Sequence, residues 1–185
     1  MPLNIPNILT LARILTLPLL LWMIYQDSAA WAIWAFALYA LSAITDFFDG
    51  YLARKLNQTT AFGTFIDPIA DKIFVLGVLL VLVDLATING LWLIAVLIII
   101  VRELLVSGLR EFLGPHNIKL PVTQLAKWKT TIQMVALALL ILAPSWSITL
   151  LAGQITLFVA ALLTFITGAQ YLSAGLKAMK DIDSK

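Results

Sequence analysis

The amino-acid sequence predicts an all-α integral membrane protein, with six transmembrane helices around a polar cavity open to the cytoplasm. Three observations lead there. Of the 185 residues, 62% are hydrophobic and only 12% charged, whereas a soluble domain is about half apolar and a quarter charged. One small core has no room for that excess, so lipid must solvate it. Apolar runs near membrane-crossing length alternate with short polar breaks. Finally, the twelve Lys and Arg occupy alternate breaks and the helix halves beside them.

The helices are expected at about 5–26, 29–54, 61–84, 90–113, 124–143 and 147–178. The first resembles a signal peptide in position, but it lacks a basic leading region, carries Arg13 within it, and reaches no small-residue cleavage site, so it is read as a retained helix. Gln26-Asp27-Ser28 separates it from the second, and Lys55 to Thr60 ends the second. The third has an uninterrupted apolar part of only 11 residues, Ile73 to Val83, about 16 Å of helix against a hydrocarbon core of about 30 Å. After Asn89-Gly90 the fourth repeats this pattern, with Leu91 to Val101 ending at Arg102-Glu103. Gly114 to Pro121 leads to the fifth helix, which opens with Lys127 and Lys129. Pro144-Ser145 leads to the sixth, closed by Lys177 and Lys180. To cross the bilayer, the short apolar parts must carry their charged neighbours into one half of it, facing the bundle or water rather than lipid. Acids come from helices two and three and bases from four and five. With no internal repeat, a single membrane domain over 1–185 is expected.

Charge sets the orientation. Arg54, Lys55, Lys119 and the C-terminal lysines mark one side, while the three opposite turns hold no base. The positive-inside rule puts that side, with both termini and the acids, in the cytoplasm. Trp22, Trp31, Trp92 and Trp146 lie near expected helix ends and read as interfacial anchors. Cysteine is absent and His116 is the one histidine, which excludes disulfides, thiolate nucleophiles and His-rich zinc sites. His116 itself reads as a polar loop residue. Nothing points to nucleic acid as a partner; membrane lipid is the expected surrounding.

The chemistry lies in D46-x2-D-G-x2-A-R-x8-G-x3-D-x3-D71. On a helix, Asp46, Asp49, Gly50, Ala53 and Arg54 share one face, and so do Gly63, Asp67 and Asp71. Asp67-Pro68 is either a cap and first turn that start the third helix, or a point inside it that Pro68 should kink. Four carboxylates beside an apolar segment repel one another unless divalent cations hold them. Oxygen-only ligands suit Mg2+, Mn2+ or Ca2+, and four carboxylates balance two such ions, the arrangement used in phosphoryl transfer. Gly50, Ala53 and Gly63 leave space either for close helix packing or for a substrate. Arg54 is either a flanking charge or a phosphate ligand.

This spacing matches, at every fixed position, the signature of the CDP-alcohol phosphotransferases. The segments N4-I-P-N-I-L-T-L-A-R13, R102-E-L-L-V-S-G-L-R-E111, K127-W-K-T-T-I-Q-M134 and Q170-Y-L-S-A174 extend the resemblance over nearly the whole chain. The resemblance implies that Asp46, Asp49, Asp67 and Asp71 hold two divalent cations, Mg2+ or Mn2+, with Asp71 also the general base. It implies CDP-diacylglycerol contacts at Gly50, Ala53, Arg54, Thr60 and Gly63, sn-glycerol 3-phosphate as acceptor, CMP as leaving group, a bacterial inner-membrane location and a homodimer.

A dianionic acceptor calls for cations, and Arg102, Arg110, Lys127 and Lys129 are the candidates. Each is alternatively a topology flank or an ion-pair partner, and Glu103 with Arg110 is one possible pair. Lys127 and Lys129 point about 200° apart on a helix. Lys129 shares a face with Gln133 and is the expected inward residue. Three other readings compete: a family member with a different acceptor, a divalent-cation transporter, whose acids should instead lie near the midplane, and a non-catalytic membrane scaffold, which leaves the four aspartates unexplained.

Overall fold

The computed structural model describes residues 4–55, 60–116, 118, 120–121 and 123–183, excluding the side chains of residues 5, 6, 46–55 and 183. Among the described residues there are six α-helices and no strand. They are α1 Ile5–Tyr25, α2 Ala29–Lys55, α3 Ala61–Asp84, α4 Trp92–Leu113, α5 Gln124–Ile141 and α6 Ser147–Asp183. This is an all-α membrane protein. The helices α1, α4 and α6 are each long and apolar enough to cross a membrane. Charge interrupts the others: α3 carries Asp67, Asp71 and Lys72, and the uninterrupted apolar stretch of α2 is Ala29–Thr45.

The chain forms two compact units, Met1–Ile88 with Leu137–Leu151, and Asn89–Ala136 with Ala152–Lys185. In the first, α1 packs against both α2 and α3. The α1–α3 contact keeps one register from end to end. Leu17 and Leu21 lie 3.5 Å from where a Cβ on Gly77 would stand, and the Tyr25 hydroxyl donates to Asp84 at 2.9 Å. Leu20, Val78, Leu79 and Leu82 are fully buried, and Tyr39 of α2 stacks on Phe74 of α3. Pro68 lies inside α3, which starts at Ala61 behind Thr60; of the two readings of Asp67-Pro68, the structure has the earlier start. Trp22 and Trp31 meet edge to face across the α1–α2 turn and stay exposed.

In the second unit, α4 lies against α6. A Cβ on Gly168 would stand 2.9 Å from Arg102 Cγ, and one on Gly175 would stand 2.5 Å from both Leu109 Cδ atoms. These two glycines, two turns apart, let the helices approach closely, as small residues do in membranes. Val106, Ala126 and Tyr171 form a buried cluster with Leu120 against it. His116 sits exposed in a short 3-10 turn after α4 and tilts against Phe112.

Candidate active site

The start of α3 is set by Thr60. Its backbone is extended, and its hydroxyl accepts from the Gly63 amide at 3.0 Å, satisfying one of the donors left over in a first helical turn. The helix then places Asp67 and Asp71 one turn apart on exposed positions.

The neighbouring helix completes the arrangement. Asn7, Thr10 and Arg13 of α1 are spaced by three and buried to 3%, 3% and 6% exposure. Asn7 Nδ2 donates to the Thr60 hydroxyl at 3.0 Å, and that hydroxyl donates to Asn7 Oδ1 at 3.2 Å. The Thr10 hydroxyl donates to Asp67 Oδ1 at 2.8 Å. Arg13 Nη1 donates to Asp71 Oδ1 at 2.6 Å, an ion pair in which the arginine side chain is 5% and the aspartate side chain 55% exposed. A guanidinium is costly to bury without a partner, and a carboxylate is the partner found here. Gly63 is buried because α1 comes so close: a Cβ there would stand 2.6 Å from Asn7 Oδ1. Of the acids, Asp67 and Asp71 are thus brought to one face, each held by α1. The side chains of Asp46, Asp49, Gly50, Ala53 and Arg54 lie outside the described residues, although all five positions are on α2.

Sequence reasoning used Arg13 against a signal-peptide reading, for orientation and within the segment from Asn4 to Arg13, gave it no role in the site, and did not single out Asn7 or Thr10. The signal was present. Three polar residues at i, i+3 and i+6 in an otherwise apolar helix mark a face that needs polar partners.

The basic candidates divide by burial. Lys129 is 3% exposed and Lys127 is exposed, as expected of a regular α5 with one inward lysine. Glu103 accepts from Lys129 Nζ and from Arg102 Nη1, the latter at 3.1 Å. The Glu103–Arg110 pair is therefore not the one formed: Arg102, its sequence neighbour, and Lys129, on the facing helix, take the carboxylate. Gln133 Oε1 and Arg102 Nε are buried without a protein partner among the described residues. Arg110 is exposed and lies 5.3 Å from the Tyr171 ring centroid, with Arg102 at 5.5 Å from the same ring. Tyr171, another residue that the sequence reasoning did not single out, donates its hydroxyl to the Pro121 carbonyl at 3.1 Å and accepts from the Thr123 amide at 3.3 Å. It thereby ties the loop before α5 to α6.

Two exposed carboxylates, Asp67 and Asp71, are thus backed by a hydroxyl and a guanidinium. Carboxylates of this kind can accept protons or hard cations. Comparisons with known proteins agree with that chemistry. Residues 3–166 match the profile of a family described as CDP-alcohol phosphatidyltransferase. The chain is similar to the CDP-diacylglycerol–glycerol-3-phosphate 3-phosphatidyltransferase of Rickettsia bellii, 45% identical over 174 residues, covering 92% of this chain and 94% of the relative. It is 39% identical over 216 residues to the protein of the same name from Cereibacter sphaeroides, covering 96% and 98%. Its identity to the one from Escherichia coli is 40% over 186 residues, covering 98% and 100%.

Proposed function

Because the chain belongs to the CDP-alcohol phosphatidyltransferase family, we propose that it transfers the phosphatidyl group of CDP-diacylglycerol to sn-glycerol 3-phosphate and releases CMP. The observation that carries this reading is the exposed pair Asp67 and Asp71, held by Thr10 and Arg13 at the end of the signature spacing. The named relatives, matched over nearly their whole length, support the choice of acceptor.

In this reaction the 1-hydroxyl of glycerol 3-phosphate attacks the phosphorus that bears diacylglycerol. A new phosphorus–oxygen bond forms, the bond to the CMP oxygen breaks, and its electron pair leaves on CMP. Asp71 takes the hydroxyl proton. The oxygen-only donor set fits hard divalent ions, so Asp46, Asp49, Asp67 and Asp71 would hold two of them, Mg2+ or Mn2+. Bound there, they supply charge neutralisation at the pyrophosphate and make the attacking hydroxyl a better acid.

Gly50, Ala53 and Arg54 contact the cytidine nucleotide in this reading. Thr60 and Gly63 serve it by shaping the start of α3, where the hydroxyl and the missing Cβ are both engaged with Asn7. The acceptor phosphate is taken by Lys129 and Arg102, with Arg110 and Lys127 adding field. Gln133 Oε1 and Arg102 Nε, which lack protein partners, offer an acceptor and a donor suited to a phosphorylated polyol. The enzyme acts as a homodimer in the bacterial cytoplasmic membrane, with both termini and the acids on the cytoplasmic side, as its basic residues favour.

Purified protein in lipid micelles with CDP-diacylglycerol and Mn2+ tests the reading. Glycerol 3-phosphate should drive CMP release, whereas serine, inositol phosphate and phosphatidylglycerol should leave it at background. Preference for any of those three overturns the acceptor assignment.

A further inference from the structure

The α1 residues Asn7, Thr10 and Arg13 lie outside the acidic signature, yet each is buried and each is aimed at a different site position of α3. Asn7 meets Thr60, Thr10 meets Asp67, and Arg13 meets Asp71. Polar groups in an apolar helix are costly unless hydrogen-bonded, and packing alone would be served as well by leucine. We propose that these three are positioning residues, and that α1 is the template that fixes the carboxylates of Asp67 and Asp71 in the orientation needed to hold the divalent cations. This rests on the reading that those acids bind the cations.

An aspartate on an exposed helical position turns freely about two bonds, and ordering it on ligand binding costs entropy. Here that ordering is already done. The Thr10 hydroxyl donates to Asp67 Oδ1 at 2.8 Å and so restrains the rotation of that carboxylate. Arg13 donates to Asp71 Oδ1, and being 6% exposed it has no solvent to retreat into. The Asn7–Thr60 pair and the bare face of Gly63 set how closely α1 approaches at this level. All three contacts preserve one register between the helices. Partners that orient metal ligands in this way typically contribute 10- to 100-fold in metal affinity or activity.

The test compares Thr10→Val, which keeps shape and removes the donor, with Thr10→Ser, which keeps the donor. Mn2+ binding to the purified protein is followed by the electron paramagnetic resonance of free Mn2+, alongside kcat, KM and thermal unfolding. Thr10→Val should bind Mn2+ about 10- to 100-fold more weakly and lose kcat in step, while Thr10→Ser stays within about threefold of the unmodified protein. With Mn2+ raised to saturate the variant, KM for both substrates should stay within about twofold, because the hydroxyl serves the cation ligand and not the substrates. If Thr10→Val is not recovered folded, Thr10→Ala carries the same comparison. Unchanged Mn2+ affinity in the donor-free variant, or equal losses in the valine and serine variants, overturns the proposal. Asp67→Asn separates the two readings. If it also binds Mn2+ normally, the cation assignment itself fails; if it loses Mn2+ while Thr10→Val does not, only the positioning role fails.

Discussion

At Gly63 one methyl group decides how closely two helices meet. In Gly63→Ala the new Cβ would lie 2.6 Å from Asn7 Oδ1, so Asn7 must turn away from Thr60 or α1 must move out. Overpacking of this kind costs about 1–3 kcal/mol. A lowered unfolding midpoint with reduced CMP release is expected. Gly108→Ala, where nothing lies within 4 Å, should change neither. The Lys129–Glu103 pair makes a second residue-scale prediction. Both side chains are largely buried, and removing one partner of such a pair costs about 3–5 kcal/mol by leaving the other charge uncompensated. Lys129→Met should therefore unfold well below the unmodified protein. Lys129→Met combined with Glu103→Gln should recover much of that loss in a thermal melt, and no recovery would show that the pair is not the source. The acids were legible at this scale because carboxylates at fixed spacing in an apolar setting have few structural explanations. Asn7, Thr10 and Arg13 were not, because their meaning depends on which helix they face, and spacing within one helix does not reveal its neighbour.

At the scale of elements, α1 and α3 act as a pair, locked by Asn7–Thr60 near one end and Tyr25–Asp84 at the other. Thr60 contributes twice, as the cap of α3 and as the partner of Asn7. Thr60→Ala should cost about 1–2 kcal/mol, the high end for a helix cap, and Thr60→Ser should cost little; equal melts for the two would remove the cap argument. Helix limits were readable to within a few residues because apolar runs and polar breaks follow membrane thickness. The largest difference is α6, expected to end near 178 and found to continue to Asp183. Apolarity marks where a helix leaves lipid, whereas this helix continues through Met179, Lys180 and Asp181 with no glycine or proline to stop it. Tyr171 is a residue whose role only the loop before α5 explains. Tyr171→Phe keeps the ring between Arg102 and Arg110 but gives up both loop hydrogen bonds. Faster amide exchange at Thr123, with helical exchange unchanged, is the expected result.

At the scale of the whole molecule, composition alone established the membrane setting, and the placement of the basic residues supports an orientation. The absence of cysteine makes that orientation directly measurable with single-cysteine variants. A membrane-impermeant maleimide should label His116→Cys only when the cytoplasmic face is exposed, and Ser147→Cys only from the opposite face; labelling of both from one side would contradict the six-crossing arrangement. Metal dependence belongs to this scale as well. A chelator should abolish CMP release and added Mn2+ should restore it, because the four acids proposed to hold the cations would otherwise repel the pyrophosphate. Asp71 is the acid proposed to take the proton of the attacking hydroxyl. In Asp71→Asn, CMP release per folded protein from CDP-diacylglycerol with glycerol 3-phosphate should fall by about 10²–10⁴-fold, the usual share of a general base, while the unfolding midpoint falls as well because buried Arg13 loses its carboxylate. Turnover close to that of the unmodified protein would contradict the account at its centre.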